Sequence, residues 1–193
     1  MLRHLYDRTM ALAGHRHATW ALAVISFAES SFFPIPPDVL LIPMVLANRA
    51  KAFFYATICT VASIVGGLFG WLIGAFLFDA VAEPILQFYG YADKFADFAE
   101  RYNEYGAWIV FVAGLTPFPY KVITIASGAT GLSLPVFMVA SILSRGLRFF
   151  AVAALLWWLG PPIRDFIERR LGLLFTIFVV LLFGGFVVAR YLL

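Results

Sequence analysis

The stretch FFPIPPDVLL (residues 32–41) sets three prolines within four residues and follows them with a carboxylate. A second stretch, LTPFPYKVIT (residues 115–124), repeats the arrangement with a lysine in place of the aspartate. Proline removes a backbone donor and pushes the residue before it out of the helical region. Pro34, Pro36 and Pro37 in the first stretch, and Pro117 and Pro119 in the second, therefore break any helix that reaches them. Each break lies in a strongly apolar neighbourhood. In hydrocarbon every backbone N–H and C=O needs a partner, so broken backbone survives there only where protein or water surrounds it.

The chain has 193 residues, of which 63% are hydrophobic. Its mean hydropathy is +0.91, more apolar surface than a soluble domain of this size can hide, so lipid is the expected solvent. A net charge of only +3 gives no reason to expect nucleic acid. Cys59 is the single cysteine, which excludes an intrachain disulfide and a CxxC site. His4, His15 and His17 share the first polar stretch with no further ligand. There is no GxSxG, HExxH or Walker lysine, so neither an enzyme nor a cofactor or metal is expected. The run ATWALAVISFA (residues 18–28) has the length of a signal-peptide core. The long polar stretch before it and the break just after it favour an uncleaved segment.

Working outward from the breaks, residues 19–47 form two short apolar runs around the first one. Residues 107–131 do the same around the second. Neither half is long enough for a core that needs about 20 residues, so each pair reads as a re-entrant hairpin. Residues 52–78, 134–159 and 171–192 are long enough to span, and residues 1–17 read as a helix lying at the interface. Residues 84–105 alternate apolar and acidic faces: Asp93, Asp97, Glu100 and Glu104 share one face of an amphipathic helix, with Gly90 near its start. The fold class is thus an all-α integral membrane protein of two inverted repeats, each a re-entrant hairpin plus a transmembrane helix, with a further C-terminal span. Arginines and lysines cluster in the N-terminal stretch, near Arg49 and Lys51, and at Arg164, Arg169 and Arg170; the middle link is acidic. The positive-inside rule then puts the N-terminus in the cytoplasm. Crossings agree with this only if the two hairpins enter from opposite sides.

Paired, proline-interrupted apolar segments in two halves of a chain point to a transporter's binding site, against the alternative of kinks that only shape a bundle. Asp38 begins the second half of its hairpin, where a negative charge suits the exposed N–H groups. Lys121 also begins a half-helix, where a cation is badly placed unless an anion lies between. Helix N-terminus plus lysine is a phosphate or carboxylate site; the competing reading is a lysine snorkelling to the interface. Glu29 near the end of the first half-helix is a candidate proton carrier or a capped, hydrogen-bonded carboxylate. Ser141, Arg145 and Arg148 form a polar stripe within the apolar run of residues 134–159. If Glu29 and Asp38 pair with the two arginines, one positive charge is left for an anionic substrate; the rival is a purely structural ion network. Gly66, Gly70 and Gly74 share one helix face, which lets another backbone approach and is compatible with a homodimer.

The motifs FAESSFFPIPPDVLL, GGLFGWLIG, LTPFPYKVITIASGATG and SRGLRF, together covering most of residues 27–149, resemble the DedA family. The likeness is greatest to its YqaA-like branch, within the wider SNARE-associated Golgi protein (VTT) superfamily. The resemblance implies a bacterial inner-membrane protein with opposed re-entrant hairpins. It also implies movement of lipids between leaflets, as a flippase or scramblase of undecaprenyl phosphate or phospholipid, often driven by the proton motive force. Carried over residue by residue, the family's embedded acids match Glu29 and Asp38, and its basic residue after the prolines matches Lys121. An arginine common just before the second break is missing from VAGLT (residues 112–116), where Arg145 or Arg148 could stand in. The expected phosphate ligands are Lys121, Arg145 and Arg148, and the expected partners are the bilayer, an anionic lipid headgroup and a coupling proton. A small-solute or ion transporter, or a structural or assembly factor docking through the acidic helix, are the alternatives.

Overall fold

The computed structural model describes residues 17–33, 35–116 and 118–160. The interfacial segment at 1–17, all but its last residue, the span at 171–192, and both Pro34 and Pro117 lie outside the described residues. Eight α-helices follow one another among the described residues: α1 (Ala18–Ser31), α2 (Asp38–Ala47), α3 (Ala52–Leu77), α4 (Glu83–Phe88), α5 (Ala92–Glu104), α6 (Gly106–Leu115), α7 (Tyr120–Ala129) and α8 (Leu134–Leu159). No strand occurs among the described residues. The order helix, break, helix, long helix therefore appears twice, as α1–α2–α3 and as α6–α7–α8.

The long helices α3 and α8 have 26 residues each, about 39 Å at 1.5 Å per residue. They run antiparallel. Ala52, Ala56 and Cys59 at the start of α3 share an apolar cluster with Phe149, Ala153 and Leu156 at the end of α8. At the same end Arg49 donates to the Trp157 carbonyl. At the other end Trp71 Nε1 donates to the Leu132 carbonyl, just before α8 begins, at 3.1 Å.

Both broken segments double back. Ala18 and Leu22 at the start of α1 lie in the same cluster as Met44 and Val45 at the end of α2, so the chain returns to the level at which it entered. In the second segment Gly106 at the start of α6 lies against Leu132, just past α7. Asn103 Nδ2 closes that end by donating to the Thr130 carbonyl at 2.7 Å. The first hairpin opens at one end of the α3/α8 pair and the second at the other. Their tips meet halfway.

The backbone at the breaks follows the prolines. Thr116, before Pro117, is extended at φ −84°, ψ 164°, and Pro119 is extended before α7 starts. One stripe of α3 receives both hairpins. A Cβ at Gly66 would overlap the Phe27 carbonyl of α1, one at Gly70 would overlap Thr124 Oγ1 and stand 3.1 Å from the Ser30 carbonyl, and one at Gly74 would overlap the Ile125 carbonyl of α7. The chain's own half-helices fill this face, so it is not available to a second copy. Gly74→Ala sets a methyl against backbone atoms that cannot rotate away. It is expected to destabilise the protein by about 1–3 kcal/mol, read as a lowered melting temperature in detergent.

The helix of α3 does not stop at Phe78. It passes through a π turn, Phe78–Ala82, into α4. Pro84 explains the wider turn: it cannot donate back to Ala80, and its ring crowds the preceding turn. The amphipathic region expected at 84–105 is consequently two helices, separated at Gly90, whose φ of +70° suits glycine. Helix α5 is fixed to α7 by Tyr102, whose hydroxyl lies 2.9 Å from Ser127 Oγ. Burial pushes that hydroxyl up to about 12.

Among the described residues, two helices are long and apolar enough to cross a membrane, Arg49–Phe88 and Leu134–Leu159. In the most apolar window of the first, only 28% of residues are buried, whereas a core helix of a soluble protein hides most of such a stretch. Trp20, Phe76, Trp108 and Trp158 are all exposed.

Candidate functional site

The centre of the molecule is polar. Ser63 and Arg145 stand near the midpoints of α3 and α8, at the level where the hairpin tips meet. Arg145 is fully buried. Its Nη2 donates to Glu29 Oε2 at 2.6 Å, and its Nε donates to Ser63 Oγ at 2.6 Å. The guanidinium carbon lies 4.7 Å from the ring centres of both Tyr120 and Phe149, so two aromatic faces hold the cation. Tyr120 is itself held by a 2.5 Å bond from its hydroxyl to Ser141 Oγ. Ser30 Oγ lies 3.1 Å from Glu29 Oε2 and 2.6 Å from Ser63 Oγ, closing a ring of polar contacts from α1, α3 and α8.

One turn along α8, Arg148 joins the two hairpins. Its Nη2 donates to Asp38 Oδ2 at 2.5 Å, at the start of α2, and its Nη1 donates to the Thr116 carbonyl at 3.3 Å, at the end of α6. The ion pair is half-buried, with side-chain exposures of 16% and 22%, against 0% and 13% for Arg145 and Glu29. The inner pair therefore has the larger structural role and the outer pair is closer to solvent or lipid. Two buried polar atoms, Asp38 Oδ1 and Arg145 Nη1, have no hydrogen-bond partner among the described residues.

Lys121 is the second residue of α7, whose N-terminus has no side-chain cap. It is half-buried, and its ammonium makes no hydrogen bond or ion pair with a described residue. Three cations thus meet two carboxylates, and both carboxylates are already held by arginines. The spare positive charge is on Lys121, at a helix N-terminus, which also carries partial positive charge. The arrangement can bind an anion at a break in the fold. It contains no nucleophile–base pair and, among the described residues, no group of acids, histidines or cysteines fit to hold a metal.

Glu29, Asp38, Arg145 and Arg148 are brought together here, and Lys121 stands at the adjacent start of α7. Arg145 is enclosed by Glu29, Ser63 and two rings, while Arg148 and Lys121 are more accessible. Sequence reasoning missed Tyr120 and Phe149 as the shelf for Arg145, and Thr124, whose hydroxyl donates to the Ser30 carbonyl across the two hairpins at 3.0 Å. The position of Phe149, one turn beyond Arg145, was a usable signal. Nothing local marked Thr124.

A profile of the VTT domain matches residues 35–157, from the first break to the end of α8. The chain belongs to the VTT domain family. The resemblance to DedA proteins is thereby borne out, and the family is one of membrane proteins. An uncharacterized protein of Haemophilus influenzae is 38% identical over 177 residues, 92% of each chain. An uncharacterized homologue from Histophilus somni is 40% identical over 156 residues, 81% of each chain. No solved structure matches. The VTT match spans the whole polar centre except Glu29 and Ser30, which precede it.

Proposed function

We propose that this VTT protein moves a phosphate-bearing lipid between the leaflets of the bacterial inner membrane. The observation that carries the reading is the spare charge of Lys121 at the meeting point of two opposed, proline-broken hairpins. A lipid phosphate balances that charge, is favoured by the positive end of α7, and reaches Arg148 when Asp38 lets go. Undecaprenyl phosphate and phospholipids both present such a group. The hairpins are re-entrant in this reading, entering from opposite faces as halves of an inverted repeat, with the N-terminus cytoplasmic.

The acyl chains stay in hydrocarbon. An apolar groove of about 630 Å³ lies between α6 and α8, lined by Trp108, Phe111, Val136, Val139 and Leu143. Along α8 the groove reaches Leu143, about the level of Arg145, although the two side chains point to opposite faces of the helix. Glu29 and Asp38 are the groups that would take up a coupling proton, since protonating either releases its arginine.

The test uses purified protein in liposomes carrying a fluorescent phospholipid or polyprenyl phosphate, with an impermeant quencher outside. Protein-dependent quenching of either probe beyond that of empty liposomes supports the reading, and acceleration by a pH gradient marks a pump rather than a scramblase. Quenching equal to that of empty liposomes for both probes removes lipid transport. Neutralising Asp93, Asp97, Glu100 and Glu104 together is expected to leave the rate within about twofold, because those carboxylates lie exposed on α5, away from the centre.

A further inference from the structure

The hairpins touch at their tips through one neutral hydrogen bond whose existence follows from a proline. In an unbroken helix the Ser30 carbonyl would pair with the N–H of residue 34, but residue 34 is proline and has none. Thr124 Oγ1, on α7 of the other hairpin, supplies the missing donor at 3.0 Å. Thr124 is fully buried, and it fits there because residue 70 is glycine: a Cβ on Gly70 would overlap the threonine hydroxyl.

The same hydroxyl has a second acceptor. Thr124 Oγ1 lies 2.9 Å from the Lys121 carbonyl, one turn back in its own half-helix. A hydroxyl carries one proton, so the two carbonyls compete for it. When the hydroxyl turns to Lys121, the donor stays satisfied and the bond between the hairpins is gone. An ordinary contact between buried groups would leave both donor and acceptor unmade on separation, which disfavours opening. Here the donor stays satisfied and only the Ser30 carbonyl is left without its partner.

We propose that Thr124 is a two-position latch: donating to the Ser30 carbonyl it holds the hairpin tips together, and donating to the Lys121 carbonyl it lets them part. Arg148 is the second tie, since it reaches Asp38 on one hairpin and Thr116 on the other. An anion that draws Arg148 away from Asp38 leaves the Thr124 bond as the direct hydrogen bond between the hairpins, beside Arg145, which holds Glu29 and stacks on Tyr120. That connection to a lipid phosphate rests on the function proposed above; the latch itself does not depend on what is carried.

The experiment measures the distance between spin labels on cysteines placed at the exposed positions Phe33 and Val122, one per hairpin, in liposomes and in a Cys59→Ala background. Thr124→Val keeps the shape and removes the donor, Thr124→Ala removes it in a smaller side chain, and Thr124→Ser keeps it. The parent and Thr124→Ser are expected to show one dominant short distance. The valine and alanine variants are expected to raise the ratio of a longer distance about fivefold, the equivalent of one ordinary intramolecular hydrogen bond. Donor-less variants that superimpose on the parent overturn the latch, and so does a serine variant that opens like the valine one. Lipid movement is assayed on the same samples. A shift in distance without any lipid movement keeps the latch and removes the transport reading.

Discussion

Arg145→Ala is expected to destabilise the protein by about 3–5 kcal/mol, the range for removing one partner of a buried ion pair. The loss follows from what stays behind. Glu29 is left in the interior with only Ser30 beside it, Ser63 loses its donor, and the space between Tyr120 and Phe149 empties. Arg145→Lys recovers only part of the loss, because an ammonium cannot lie flat between two rings while donating sideways to both Glu29 and Ser63. A Glu29→Gln, Arg145→Met double variant removes both charges and is expected to melt well above Arg145→Ala. Thermal unfolding in detergent checks the series. Equal melting temperatures for Arg145→Ala and the double variant would show that lost packing, not the stranded charge, sets the effect.

Lys121→Ala is expected to do the opposite. Its ammonium holds nothing in the fold, so stability should stay within about 0.5 kcal/mol of the parent. Movement of a phosphate-bearing lipid should fall by about ten- to a hundredfold, the equivalent of one hydrogen bond to a charged group. Lys121→Arg is expected to keep most of the rate, since a guanidinium also binds phosphate. A stable Lys121→Ala variant that moves lipid at the parent rate would take the headgroup away from this break.

The contrast between these two residues shows what could be read from the chain. The breaks were legible because proline acts locally: Pro34, Pro36, Pro37, Pro117 and Pro119 dictate where helices stop in any fold. The charges were legible because an ionised group in an apolar run needs a partner, and counting two acids against three bases already leaves one cation over. Pairing the two acids with the two arginines singled out Lys121 as that cation, and the distances in the fold show both pairs made. The glycine face could be seen in the spacing of Gly66, Gly70 and Gly74, yet its occupants, α1 and α7, come from different ends of the chain. Thr124 was invisible for the same reason, being 94 residues from the carbonyl it satisfies. The π turn before Pro84 was legible in principle, but the change from apolar to polar composition drew the boundary at Phe78 instead.

The measurement that tests the central claim most directly reads the chemical reactivity of Lys121 itself. The chain has three lysines, Lys51, Lys94 and Lys121, and the first two are exposed, which makes them internal controls for surface charge. Protein in vesicles of a phosphate-bearing lipid, or of an uncharged glycolipid matrix, is treated with an amine-acylating reagent, and labelling at each lysine is quantified by mass spectrometry. A phosphate headgroup at the second break predicts that Lys121 is protected in the phosphate-bearing vesicles relative to Lys51 and Lys94, and becomes reactive in the uncharged ones. Equal labelling of Lys121 in both kinds of vesicle, once scaled to the two controls, would contradict the account.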